Sequence, residues 1–176
     1  MRALQFALLA CLVQRAASGE IVDSVVATVG ERPIKYSDMM RELRTTTFLN
    51  QGVLATGAEQ KLAAVNRLVD QAIIRVEMEN GGYPQVEKER VDRFLEEVRK
   101  RYSSAADFQT AVASAGLTEA ILRSQLAWQL TVLDFIELRF GVAPDDSPDA
   151  PEDAFIQWLD TVRKDQRITI RAERLK

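Results

Sequence analysis

The sequence predicts a mainly α-helical domain with one small β-sheet, and three features predict it. A β-branched segment lies near the start, at residues 21–29. Six later segments are helical in pattern, most with apolar residues at three- and four-residue spacing, as in an amphipathic helix. Residues 167–173 then alternate polar and apolar side chains, which is the pattern of a strand. We therefore expect about six helices between an N-terminal hairpin and a C-terminal strand.

The expected sheet joins the two ends of the chain. Valine and isoleucine dominate residues 21–29, and Gly30 begins a turn into a short return strand that contains Ile34. A single strand at residues 167–173 would leave its backbone groups unpaired at both edges. We therefore expect it to pair with residues 22–29.

The first three helices are expected at residues 38–49, 58–79 and 85–102. Ser37 is the expected N-cap of the first helix, because its hydroxyl can accept a free backbone N–H. The second helix has the clearest apolar periodicity and is followed by two glycines, which favour a helix end.

The last three helices have clear start signals. Ser104 and Asp107 have the form of a capping box before a short helix that ends near residue 114. Thr118 is suited to cap a long fifth helix over residues 119–140. Residues 141–150 lack periodicity and are interpreted as a linker, and Pro151 is typical of a helix start.

Residues 1–19 have the form of a secretory signal peptide. Arg2 supplies a positive charge, residues 3–13 are mostly apolar, and small residues at 16–19 fit cleavage after Ser18 or Gly19. The apolar stretch is shorter than the roughly 18–20 residues that span a bilayer, so no stable membrane insertion is expected. The sequence therefore predicts an exported domain at residues 20–176.

The single cysteine, Cys11, lies inside this leader. Residues 8–11 resemble a lipoprotein box, so lipid anchoring through Cys11 is an alternative, although only ten residues precede it. Without the leader the domain has no cysteine, which excludes disulfides, thiol catalysis and thiolate-bound zinc.

The composition excludes further classes of chemistry. The chain has no histidine, so imidazole acts neither as a base nor as a metal ligand. Without Arg2 and Arg15, 21 basic and 26 acidic side chains remain, a net charge of −5 that argues against nucleic acid as the main partner. No cofactor and no metal site are expected.

Several segments, taken in order, resemble one known family. Residues 22–30, followed by Ile34, Ser37 and Asp38, resemble the opening of the SurA family of periplasmic chaperones. The segments at residues 68–74 and 117–139 are similar to that family's later helices. Residues 155–159, running into residues 168–170, resemble its C-terminal helix and strand. The resemblance covers nearly all of the mature chain and implies a fold like the SurA N-terminal domain.

The chain departs from this family at residues 141–150. SurA-like proteins usually carry one or two parvulin-type prolyl isomerase domains at this place, and ten residues are too few for one. Parvulin active sites also typically contain histidine. The resemblance therefore implies a periplasmic chaperone that is not an enzyme and has no prolyl isomerase activity. We expect it to be ATP-independent, because the sequence has no phosphate-binding loop and the periplasm supplies no nucleotide. Its implied partners are unfolded secreted polypeptides and outer-membrane protein precursors.

A protein that holds unfolded chains needs exposed apolar surface that adapts to different partners. Methionine is flexible and polarisable, and aromatic side chains supply contact area at low entropic cost. The candidate peptide-binding residues are Met39, Met40, Phe48, Leu49, Trp128, Leu133, Phe135 and Trp158. For each of them, ordinary core packing is the alternative.

Two other classes of function are compatible with the sequence. The fifth helix is apolar on more than one side, which also suits a structural or adaptor protein with one dedicated partner, or a homodimer. A catalytic function would depend on Asp, Glu and Lys alone. The acidic pairs at residues 96–97 and 145–146 are more typical of solvated surface.

Overall fold

The structure is a computed structural model that describes residues 23–141 and 150–176. The expected signal peptide at residues 1–19, including Cys11, lies outside the described residues. So do residues 142–149 of the expected linker and the acidic pair at residues 145–146.

The described chain is mainly helical with one small sheet, as the sequence predicts. Its elements are β1 (Val25–Val29), β2 (Arg32–Lys35), α1 (Tyr36–Leu49), α2 (Ala58–Gly81), α3 (Lys88–Arg99), α4 (Ala105–Ser114), α5 (Glu119–Phe140), α6 (Ala150–Asp165), β3 (Ile168–Ile170) and a short 3-10 helix (Ala172–Arg174). None of the helices in the described part of the chain is long and apolar enough to cross a membrane.

The sheet connects the two ends of the described chain. Its strand order is β2-β1-β3, and both pairs are antiparallel. Ala27 lies opposite Ile170, and Val29 lies opposite Ile168. The predicted pairing of the C-terminal strand with the N-terminal one is therefore confirmed. The strand is shorter than residues 167–173, because the chain turns into the 3-10 helix at Ala172.

The start of α1 differs from the prediction. The helix begins at Tyr36, so Ser37 is its second residue and not its N-cap. The physical reason is that β2 leads directly into α1, and the N–H of Tyr36 donates to the carbonyl oxygen of Ser24 at 2.8 Å. The hydroxyl and N–H of Ser37 donate to the carboxylate of Asp23 instead. The side chain of Ser37 thus stabilises the residues that precede β1.

Other predicted helix ends are confirmed. The hydroxyl of Ser104 accepts the N–H of Asp107 at 3.1 Å, and the hydroxyl of Thr118 accepts the N–H of Ile121 at 3.3 Å. The helix α2 ends at Gly81, and the capping residue Gly82 has a φ of +64°, a left-handed conformation that glycine adopts without strain.

The helix α3 is shorter than the predicted residues 85–102. Its N-terminal side is extended before residue 88, because the N–H of Val86 donates to the hydroxyl of Thr131 on α5 at 3.2 Å. A tertiary hydrogen bond therefore replaces the helical turn that the sequence pattern favours.

The core consists of three apolar clusters. The first joins the sheet to α1 and α2 and includes Leu175, the penultimate residue. The second lies between α3, α4 and α5. The third forms where the end of α2 meets α5 and α6, around Phe135. Since α5 contributes to the second and third clusters, it connects the two halves of the domain.

Candidate peptide-binding site

An open cleft lies between α1, α2 and α5, with β2 at one side, and it has a volume of about 570 Å3. This volume lies within the range of typical ligand-binding pockets. The cleft exists because α1 packs closely on α2, whereas α5 packs mainly on α3 and α6 and has few contacts with α1. The lining combines apolar side chains, including Ile34, Leu68 and Ile121, with several polar ones.

A buried carboxylate, that of Glu42, lines the cleft on α1. The residue is 5% exposed, and its carboxylate accepts hydrogen bonds from Arg67 at 2.9 Å, Thr46 at 3.0 Å and Gln71 at 3.2 Å. A buried charge is tolerated when it is paired and hydrogen-bonded in this way. Glu42 therefore fixes α1 against α2.

One turn further along α1, Thr45 has an unused hydroxyl. The residue is 1% exposed and lines the cleft, and its Oγ1 has no hydrogen-bond partner among the described residues. A buried hydroxyl without a partner costs about 1–3 kcal/mol of folding free energy. The cleft thus retains a polar group that its own walls do not satisfy.

Arg75 on α2 is the cleft's unpaired cation. Its guanidinium lies over the Trp128 ring, 3.9 Å from the ring centroid, and forms no salt bridge with a described carboxylate. Burial lowers the pKa of this guanidinium, although nearby Glu79 opposes the shift. By contrast, Arg32 pairs with Glu79 at 2.9 Å and Arg41 pairs with Asp38 at 3.2 Å.

Two of the eight candidate residues are core residues, which corrects the prediction that they lie on an exposed surface. Met39 is 0% exposed, because it lies on the face of α1 that packs against the sheet. Phe135 is 1% exposed and packs edge-to-face against Tyr83 and Trp158, with ring centroids 4.8 and 5.7 Å away. Neither residue lines the cleft, so both side chains belong to the packed core.

Four further candidates are half-buried and packed. Met40 packs against the first cluster, and Leu49 packs against the second. Phe48 stacks on Tyr102 with centroids 6.1 Å apart. Trp158 joins the first and third clusters. These side chains contribute mainly to stability.

The remaining two candidates differ in exposure and do not lie together. Trp128 is half-buried under Arg75, packs against the third cluster and does not line the cleft. Leu133 is 56% exposed on α5, and Leu138 on α5 and Ile156 on α6 are also exposed. The structure therefore separates a cleft with mixed lining from these exposed apolar side chains on α5 and α6.

Sequence reasoning missed Thr45, Arg75 and Gln125, which line the cleft. The residues predicted for the site are large and apolar, whereas these three are polar. No local pattern marks them, because the cleft forms only when α1, α2 and α5 are brought together. An arginine close to an aromatic residue in space leaves no signal in the sequence when the two lie on different helices.

The acidic pair at residues 96–97 is solvated. Glu96 pairs with Arg99 at 3.1 Å and Glu97 pairs with Lys100 at 2.7 Å, and both carboxylates are exposed. Within residues 23–141 and 150–176, no group of three or more Asp, Glu, His or Cys side chains is arranged to hold a metal ion.

Comparison of the chain with protein-family models finds no matching family, and comparison with curated proteins finds no significant match.

Proposed function

We propose that the mature domain is an ATP-independent periplasmic chaperone. It binds unfolded polypeptides, including outer-membrane protein precursors, and has no prolyl isomerase activity. The observation that carries this proposal is the open cleft between α1, α2 and α5, with its mixture of apolar walls and unsatisfied polar groups.

The lining of the cleft suits an unfolded chain. Ile34, Leu68 and Ile121 offer apolar contact to side chains of varied shape. The hydroxyl of Thr45 and the amide of Gln125 offer hydrogen bonds to backbone groups, which every polypeptide has. Binding of this kind depends little on the partner's sequence, as a holding function requires.

The arrangement of the elements also supports the proposal. The resemblance to SurA-like proteins implies a helical domain whose C-terminal strand returns to the N-terminal one, and β3 pairs with β1 in this way. The leader at residues 1–19 favours the periplasm. The nine residues 141–149 between α5 and α6 leave no room for an isomerase domain.

The test is suppression of aggregation. An unfolded outer-membrane barrel protein is diluted from denaturant with an equimolar amount of the mature domain, and light scattering is recorded. We expect scattering to fall well below that seen with an inert protein of equal size. Equal scattering in the two samples would contradict the proposal.

Matched variants locate the activity. Ala120 lines the cleft and is exposed, so Ala120→Trp is expected to fill the cleft and weaken suppression. Ala63 is exposed on α2 away from the cleft lining, and Ala63→Trp is the control that should retain suppression.

A protease-coupled proline peptide assay should show only the background isomerisation rate, and a measurable rate would contradict the absence of isomerase activity.

A structural or adaptor function is the second candidate. The exposed side chains of Leu133, Leu138 and Ile156 favour it, because they lie on the two neighbouring helices α5 and α6. Light scattering coupled to size exclusion separates the two candidates. A tight dimer that Leu138→Glu converts to a monomer would favour assembly, whereas a monomer would favour the holding of clients.

A further inference from the structure

We propose that the cleft selects extended polypeptide segments that carry an acidic side chain. Arg75 binds the carboxylate, and the hydroxyl of Thr45 binds a backbone group of the same segment. This inference rests on the proposed function and defines the chemistry of the polypeptides that it favours.

The charges in the cleft determine its preference. The carboxylate of Glu42 is already satisfied by three donors, and that of Asp38 accepts from Arg41 and from the N–H of Lys35, each at 3.2 Å. Arg75 has no such partner among the described residues. The unsatisfied charge of the cleft is therefore positive, and a carboxylate complements it.

Arg75 is also held in place for binding. Its guanidinium is stacked on Trp128, so one face is covered while the N–H groups at its edge remain available. A planar guanidinium can bind a carboxylate through two parallel hydrogen bonds. Because the stacking restricts the arginine before binding, less conformational entropy is lost when the carboxylate arrives.

Thr45 supplies an independent reason to expect a ligand. Its hydroxyl is buried without a partner, and a backbone carbonyl or N–H in the cleft would satisfy it. A free acid in solution has no such backbone group at the correct distance. Thr45 and Arg75 together therefore favour a polypeptide over a small carboxylic acid.

The size of the cleft fits a short extended segment. The cleft lining spans Asp38 to Thr45 on α1 and Leu68 to Arg75 on α2. Each wall covers eight residues, and the seven steps between its first and last residue span about 10 Å at the helical rise of about 1.5 Å per residue. An extended chain advances about 3.3 Å per residue, so about three residues fit.

The surroundings of Arg75 favour a side chain over a terminal carboxylate. Arg75 also borders a second, smaller cleft of about 230 Å3 that is lined by Met78, Gly82 and Trp128. A polypeptide that passes Arg75 can therefore continue into this space. A terminal carboxylate would end at Arg75 and leave the smaller cleft unused.

The test compares three nine-residue peptides of apolar composition by fluorescence anisotropy. The first has a central aspartate, the second has asparagine at that position, and both have blocked ends. The third is the asparagine peptide with a free C-terminal carboxylate. We expect the aspartate peptide to bind about tenfold more tightly than the blocked asparagine peptide, since hydrogen bonds to charged groups are the stronger class.

The variant Arg75→Gln should remove this difference, because the aspartate peptide loses its charged partner. The control is Arg93→Gln, at an exposed arginine on α3 outside the cleft, and it should preserve the difference in affinity between the aspartate and asparagine peptides. Retention of the aspartate preference in Arg75→Gln would overturn the role of Arg75. If the asparagine peptide with a free C-terminal carboxylate binds as tightly as the aspartate peptide, the preference for an acidic side chain would be overturned.

Thr45→Val tests the second contact, because it removes the hydroxyl at nearly constant volume. The unfolding midpoint of the free protein should rise, since an unsatisfied buried group is lost, while both blocked peptides should bind severalfold more weakly. Unchanged peptide affinity would show that the hydroxyl is not used.

The failure of this inference differs from the failure of the proposed function. Equal binding of the aspartate and asparagine peptides, with suppression of aggregation retained, overturns only the acidic preference. Absence of peptide binding together with absence of suppression overturns both.

Discussion

The backbone N–H of Arg171 donates a hydrogen bond to the carbonyl oxygen of Val26 over 2.9 Å. The guanidinium of Arg174 extends this contact by donating to the carbonyl oxygen of Val25, also at 2.9 Å. The last residues of the chain are thereby attached to β1, and Leu175 enters the first cluster beside them. The stability of the described domain therefore depends on residues 171–175.

Leu175→Ala tests this dependence. Leu175 is 2% exposed, so the truncation should lower the free energy of unfolding by about 2–5 kcal/mol, through lost burial and the cavity left behind. Leu138→Ala is the matched control, because Leu138 is exposed and its truncation should change stability by less than about 0.5 kcal/mol. Urea unfolding of a chain of residues 20–176 measures both. Equal effects would show that the C-terminus is not packed as described.

Phe135→Ala distinguishes a core residue from a binding residue. The ring lies between Tyr83, Phe140 and Trp158, so its loss should cost about 3–5 kcal/mol of unfolding free energy. Leu133→Ala, two residues earlier on the same helix, should leave stability nearly unchanged because Leu133 is exposed. Thermal and urea unfolding provide the comparison. A stable Phe135→Ala variant would contradict the burial of this ring.

Glu119 should contribute to stability in a pH-dependent way. The hydrogen bond from Arg99, at 2.5 Å, lowers the pKa of this carboxyl below its ordinary value near 4.5, and Gln109 assists at 3.0 Å. Because the pKa is lower in the folded state, the contribution is complete above the unfolded value and is lost as the pH falls through the folded value.

The variant Glu119→Gln measures this contribution. It should be less stable than the wild type near about pH 7, and the difference should shrink toward about pH 3 as the wild-type carboxyl is protonated. Glu97→Gln is the control, since Glu97 forms only an exposed pair with Lys100. Urea unfolding across this pH range provides the data, and a difference that stays constant with pH would contradict the assignment.

Gly82→Ala tests the end of α2. The φ of Gly82 is +64°, and no atom lies within 4 Å of an added Cβ, so the cost arises from the backbone conformation alone. That cost is about 1–2 kcal/mol of unfolding free energy. Gly52→Ala is the control, because Gly52 lacks a positive φ and its added Cβ would make only ordinary contacts at 3.7 Å. Equal stability of the two variants would exclude the left-handed cap.

The helices were predictable where their signals are local. The bounds of α5 agree with the sequence pattern, and Thr118 caps the helix as expected, because a cap involves only residues three positions apart. The prediction for α1 was wrong at Ser37, since the backbone of Tyr36 is satisfied by Ser24 across the sheet. Local patterns do not contain that partner.

The candidate site was less predictable than the fold. On a helix with more than one apolar side, an apolar residue can lie in the core or on the surface. The sequence pattern of the helix does not distinguish these two positions. Leu133 and Phe135 lie two positions apart on α5, yet one is exposed and the other is buried against α6 and the end of α2.

The sequence by itself determined the class of fold, the apolar periodicity of the helices, the pairing of the terminal strands and the absence of histidine. Only the tertiary structure decided which apolar residues are buried and that Thr45 and Arg75 share one cleft. The physical reason is that hydrogen bonding within a helix and side-chain periodicity are set by neighbours a few positions away. Burial and unsatisfied polar groups depend instead on which helices meet.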